Sequence, residues 1–134
     1  MRTAHAATFL AFLGLVLPLV GCGDPPAEVT GMVNVDKKPV TKGSIAFIPA
    51  DLKGQTSGGE IIDGKYSVKK VSLGVMKVEI RYPKVADKKK DYDAPGGKYY
   101  ETFNESLPAK YNDQTELKME VQAGKNEQNW DLTR

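Results

Sequence analysis

From Glu28 onward the chain alternates apolar and polar residues with period two. Val29, Gly31, Val33 and Val35 alternate with Thr30, Met32, Asn34 and Asp36, which predicts a strand with one face buried. Residues 44–49 carry Ile45 and Phe47 on one face, although Ala46 and Ile48 blur the alternation. Residues 60–62 and 65–71 flank Asp63-Gly64, a dipeptide that suits a two-residue hairpin turn because both positions need positive φ. Met76, Val78, Ile80 and Tyr82 oppose Lys77, Glu79 and Arg81, and Leu117, Met119 and Val121 oppose Glu116, Lys118 and Glu120. A last strand over 126–132 follows a turn at 123–125 and places Trp130 and Leu132 on one side. About seven short strands separated by turn signals, with no sustained helical period, predict an all-β fold: a single antiparallel β-sandwich. Residues 83–114 break the even spacing and read as one long loop.

The amino terminus has a different pattern. Arg2 precedes residues 9–20, FLAFLGLVLPLV, which run without a charge to Gly21 and Cys22. As a helix this run would span roughly 18 Å against about 30 Å of hydrocarbon, and Pro18 interrupts it, so it reads as a signal peptide over 1–21 and not as a membrane span. Residues 22–27 then form a tether in which Pro25 and Pro26 hold the chain extended, and the folded domain occupies 28–134.

Leu19, Val20, Gly21 and Cys22 resemble the lipobox of bacterial lipoproteins. The resemblance implies cleavage before Cys22 and a diacylglyceryl thioether on its sulfur, with acylation of the new amino terminus, so that membrane lipid is the first partner. Two or three acyl chains anchor a protein durably where one does not. The expected location is the outer side of a bacterial membrane, lipid-anchored on a periplasmic or cell-surface face.

Composition narrows the chemistry. The 134 residues carry 19 Lys+Arg against 17 Asp+Glu, a balance that gives no electrostatic footprint for nucleic acid. The single His and single Cys are His5 and Cys22, so a chain processed at Cys22 would hold no histidine and no free thiol, and would form no internal disulfide. A domain of roughly 110 residues can still bury about two-thirds of its unfolded surface and needs no staple.

Three stretches, GMVNVDKKPVTKGSIAFIP (31–49), GGEIIDGKYSV (58–68) with LGVMKVEI (73–80), and LPAKYNDQTELKMEVQAGKNEQNWDL (107–132), resemble the carboxypeptidase-regulatory-like domains of bacterial lipoproteins. That resemblance covers nearly all of the processed chain and implies a transthyretin-like, or prealbumin-like, β-sandwich. The family's usual Gly after the turn Asp is replaced by Lys37, which implies a remodelled turn before Pro39. Because the matching motifs are turn and core positions, they speak to fold and not to activity.

The residues themselves argue against catalysis. Zinc carboxypeptidases need His ligands, and hydroxyisourate-hydrolysing transthyretin-like proteins need histidines and a particular C-terminal tail, whereas this chain ends NWDLTR. Ser44, Ser57, Ser67, Ser72 and Ser106 lie in no nucleophile-elbow pattern and have no imidazole base. Asp91, Asp93 and Gly96 form an incomplete calcium loop beside Lys88, Lys89, Lys90 and Lys98, so neither a metal nor another cofactor is expected. Trp130 reads as core, and Tyr111 as a tyrosine corner bonding back to the backbone.

What remains is a noncatalytic envelope module whose partner is an envelope protein or polysaccharide. Its candidate contact residues lie in 83–114: Lys88, Lys89, Lys90, Tyr92, Lys98, Tyr99, Tyr100 and Phe103, a mixture that supplies charge pairing and aromatic contact together. Wall-polysaccharide binding by Tyr99 and Tyr100 is the alternative. It requires the backbone to turn there, because adjacent residues of an extended segment point oppositely. A Lys–Asn isopeptide staple ranks lower, since the available partners lie in polar segments.

Overall fold

The computed structural model describes residues 26–90 and 95–134. The signal peptide, Cys22 and most of the tether lie outside the described residues, as do Tyr92, Asp91 and Asp93. The described chain is all-β: β1 (Ala27–Val35), β2 (Lys38–Pro39), β3 (Lys42–Pro49), β4 (Ser57–Ile62), β5 (Lys65–Val71), β6 (Gly74–Arg81), β7 (Pro83–Lys90), β8 (Tyr99–Glu105), a 3₁₀ turn (Ala109–Tyr111), β9 (Lys118–Val121), β10 (Lys125–Glu127) and β11 (Trp130–Leu132). Strand β1 starts at Ala27, whose side chain is buried, so the tether ends one residue earlier than the sequence suggested.

The strands form one curled sheet in the order β10-β1-β5-β4-β3-β6-β9, with β2 and β11 also on β1, and a separate two-stranded sheet β7-β8. Most pairs are antiparallel, but β10 and β11 run parallel to β1, so the expectation of a wholly antiparallel arrangement is corrected. The curl has a local cause. Strands β9 and β10 lie at opposite ends of the path yet are joined only by residues 122–124, which draws the two wings together over the core. The Asn126 amide staples that turn, donating to the carbonyls of Gln122, Gly124 and Glu28 while its Oδ1 accepts from the Gln122 N–H.

The predicted alternation is what fills the interior. Val29, Val33, Ile45, Phe47, Ile61, Met76, Val78 and Ile80 are essentially inaccessible, and the core is completed by Val121 of β9 at one end of the path and by Trp130 and Leu132 of β11 at the other. The Asp63-Gly64 turn has the expected positive φ values of 49° and 80°. The last strand is split: β10 and β11 flank Gln128 and Asn129, and the Gln128 carbonyl sits where a side chain at position 31 would be.

Lys37 sits in a tight turn with positive φ. Asp36 and Lys37 make a two-residue turn, with φ of 51° and 65°, between Val35 and Lys38. A lysine there bears the steric cost that glycine avoids. Lys37→Gly is therefore expected to raise stability by about 0.5–1 kcal/mol, read as a higher thermal midpoint; a lower one would contradict this turn geometry.

Tyr66 is a buried polar tie across β1, from β5 to the link between β10 and β11. Its hydroxyl donates to the Gln128 carbonyl at 2.7 Å. Burial pushes its phenol up to about 12, with the Trp130 indole N–H pulling against it and the Glu127 charge adding to it. The indole N–H itself lies near that hydroxyl without reaching hydrogen-bond geometry and has no other partner. An unfolded phenol loses its proton near 10, whereas the folded one holds it to about 12, so stability is full below pH 10 and falls between the two values. Tyr66→Phe should remove this part of the alkaline decline; identical pH slopes for both proteins between those limits would refute the assignment.

Candidate functional site

The described residues of 83–114 do not form one long loop: β7 and β8 pair as a ribbon, referred to below as the β7–β8 hairpin, and residues 106–108 link it to the 3₁₀ turn. Sequence reading missed the hairpin because every residue of β7 is exposed, so neither face needs apolar residues and the period-two signal vanishes.

The hairpin is fixed at its root. Glu105 Oε1 accepts from the backbone N–H of Tyr82 (3.1 Å), Ser106 (2.8 Å) and Leu107 (2.9 Å), and Ser106 donates its hydroxyl and N–H to the Tyr82 carbonyl. The Tyr82 hydroxyl meets Thr41 Oγ1 at 3.1 Å, and this hydrogen bond lowers its pKa against burial, helped by the charge of Lys84, whose ammonium lies 5.4 Å from the ring centre. Thus the end of β6 and the loop before β3 hold the base.

The register sets the faces. Val85 lies opposite Phe103; after a bulge between Val85 and Asp87, Lys88 lies opposite Glu101, Lys89 opposite Tyr100 and Lys90 opposite Tyr99. Val85, Lys88, Lys90, Tyr99, Glu101 and Phe103 therefore share one face, and Lys89, Tyr100 and Thr102 the other. Lys88 pairs with Glu101 at 3.0 Å, and the Lys90 ammonium lies 5.9 Å from the Tyr99 ring centre. Tyr99, Tyr100 and Phe103 remain 71%, 50% and 58% exposed, a large apolar display for neighbouring residues of one element. Lys98 is exposed just before β8.

Tyr99 and Tyr100 belong to opposite faces of a regular strand, so they do not stack on the same sugar. The structure instead gives the first face a neighbour that the sequence did not reveal. Val85 and Phe103 overlook a cleft of ≈ 790 Å³ whose other wall is Thr41, Lys42, Ser44 and Glu60. The outward positions of β3 and β4 were legible as polar, but only tertiary pairing places a hairpin beside them.

No protein-family model matches the chain, and no curated protein matches it. Among solved structures, the chain is similar to a 9R-lipoxygenase from Cyanothece PCC8801, with 12% sequence identity and a TM-score of 0.40. The likeness covers 81% of this chain but only 16% of the lipoxygenase chain.

Other sequence-singled residues have structural partners. Tyr111 sits on the 3₁₀ turn, and its hydroxyl oxygen accepts from the Thr133 N–H at 3.3 Å, which ties down the last residues and lowers the phenol's pKa. The bond is to backbone, as expected, but to a segment far along the chain and not to the adjoining corner. The hydroxyls of Ser57, Ser72 and Ser106 donate to backbone carbonyls and that of Ser67 to Glu28, leaving Ser44 at the cleft. Among the described residues no group of three or more His, Cys, Asp or Glu is placed to hold a metal ion.

Proposed function

We propose that this chain is an exported bacterial lipoprotein, anchored through acylated Cys22, whose transthyretin-like β-sandwich is a noncatalytic platform presenting the β7–β8 hairpin to a partner in the cell envelope. The polarity of the strands carries the reading. From β1 the path runs antiparallel through β5, β4, β3 and β6, so β6 points the same way as β1. The chain enters at Ala27 at one pole, and the hairpin is rooted at Tyr82 and Glu105 at the other. A membrane at the Cys22 end then leaves the hairpin on the far side of the body, roughly 25 Å away for strands of this length.

The hairpin's chemistry suits a folded protein partner better than a polysaccharide. Its aromatic groups are divided between two faces and interleaved with lysines, whereas a sugar ring needs a platform on one side. Serine hydroxyls engaged by the fold, and a processed chain without histidine, support a noncatalytic role.

Two measurements test the two halves. The amino-terminal peptide of membrane-extracted protein should begin at Cys22 and carry diacylglycerol, and Cys22→Ser should leave the membrane fraction; an unmodified sulfhydryl on the processed protein would end the anchoring argument. A photo-crosslinking amino acid at Tyr100 in intact cells should capture an envelope protein. Lys89→Ser with Phe103→Ser should abolish capture without changing the thermal midpoint, and undiminished capture would count against the hairpin. Sedimentation with isolated wall polysaccharide would instead favour the alternative.

A further inference from the structure

The two outer edges of the hairpin are unequal. Strand β7 carries Pro83 and four lysines, Lys84, Lys88, Lys89 and Lys90, the residue types that blunt an edge against further pairing. Strand β8 reads Tyr-Tyr-Glu-Thr-Phe-Asn-Glu: it has no Pro, Gly or Lys, and four of its seven residues are aromatic or β-branched. Among the described residues β8 pairs only with β7, so alternate N–H and C=O groups along its other side face outward. Two strands alone are marginal in water, and a third or fourth is what makes such a ribbon stable.

We infer that the free edge of β8 pairs antiparallel with β8 of a second copy of this chain, about a twofold axis at Thr102, to give a four-stranded sheet. The register follows from the sequence of the strand. In an antiparallel pair, opposed residues share a face, and a twofold axis through the sheet preserves that face, so the axis passes through a residue position and moves along β8 one position at a time. An axis at Glu101 sets that carboxylate against its own copy, and an axis at Phe103 sets Glu101 against Glu105. An axis at Tyr100 or Asn104 pairs only three residues of each strand. The axis at Thr102 pairs all seven residues, opposing Tyr99 to Glu105, Tyr100 to Asn104, Glu101 to Phe103 and Thr102 to itself. No like charges are directly opposed, and the two Phe103 rings become diagonal neighbours; the two Glu101 carboxylates are diagonal as well, each already paired with Lys88 of its own hairpin. The β7 edge offers no such solution, because its two longest registers, with axes at Ala86 and Asp87, oppose Lys84 to Lys88 and to Lys90. A contact that is self-complementary in one register closes as a dimer and selects a second copy over an unrelated strand. The inference concerns the edge of the hairpin and does not depend on its faces binding a partner or on Cys22 being acylated.

Cysteine crosslinking of the full-length protein in detergent tests it. Opposed residues of an antiparallel pair have Cα atoms about 4.5–5.5 Å apart, which suits a disulfide. Thr102→Cys should therefore give, on mild oxidation, a covalent dimer in roughly tenfold excess over Asp87→Cys on the opposite edge, with the wild-type chain as the control for Cys22. A mixture of Tyr100→Cys and Asn104→Cys chains should crosslink as a heterodimer, confirming the register. Sedimentation of the wild-type protein provides a readout free of substitutions: it should show a concentration-dependent dimer that Thr102→Lys abolishes. Equal crosslinking from the two edges, no dimer from Thr102→Cys, or a wild-type monomer at all concentrations would each overturn the proposal.

Discussion

Gly31→Ala is expected to destabilise the protein by about 3 kcal/mol, one of the two largest effects of any single substitution considered. A Cβ at position 31 would lie 1.8 Å from the Gln128 carbonyl oxygen and 2.7 Å from its carbon, with Tyr66 Cε1 at 3.1 Å. The obstacle is backbone, and it is held from two sides: the Gln128 N–H donates to the Thr30 carbonyl at 2.9 Å, and the Gln128 carbonyl receives the Tyr66 hydroxyl. Any retreat of Gln128 breaks one or both bonds and pulls on β11, which packs Trp130 and Leu132 into the core. Gly124→Ala is the matched control. Gly124 has φ of 86° and nothing within 4 Å of an added Cβ, so only the conformational penalty of about 1 kcal/mol applies. Denaturant unfolding of both variants separates the cases. Equal losses, or a Gly31 variant as stable as wild type, would show that the chain crossing at Gln128 is not seated over β1.

That crossing also shows what the sequence could and could not convey. Gly31 is recognisable as a site of close approach, because a glycine inside a strand otherwise weakens it. Its counterpart is a main-chain carbonyl nearly a hundred positions away, and no side-chain pattern encodes a carbonyl. The same division runs through the molecule. Strands that bury one face, such as β6 with Met76, Val78 and Ile80, are legible because burial imposes a period. The turn at Asp63-Gly64 is legible because its chemistry is local. The β7–β8 hairpin is not, since a ribbon exposed on both faces leaves only β-propensity and a turn, and its lysine-rich first strand resembles any solvated segment. The aromatic and basic residues of the candidate site could be picked out by composition, but their sorting onto opposite faces, the bulge at Val85 and the facing wall of Lys42, Ser44 and Glu60 depend on register and topology.

Phe47→Ala is expected to cost about 3–5 kcal/mol, a large part of the roughly 5–15 kcal/mol that holds a domain of this kind folded. Phe47 is fully buried on β3, an inner strand of the path, opposite Val78 of β6 and Ser57 of β4. Its ring lies 6.2 Å from that of Tyr66, tilted by 40°, so it spans from the β3 wing to β5 and supports the ring whose hydroxyl holds Gln128. Truncation leaves a cavity at the closure of the curl, and its lining strands are tied on both sides and collapse only partly. Phe47→Leu, which keeps most of the volume, should lose only about 1–1.5 kcal/mol. The thermal midpoint should drop by about 15 °C or more for alanine and only a few degrees for leucine. Because Gly31→Ala and Phe47→Ala both release Tyr66 from Gln128, their combined cost should fall short of the sum, as expected for residues that share a partner. Strict additivity in a double-mutant cycle would mean that Tyr66 does not couple the two sites, and that the curl is held by the 122–124 turn alone.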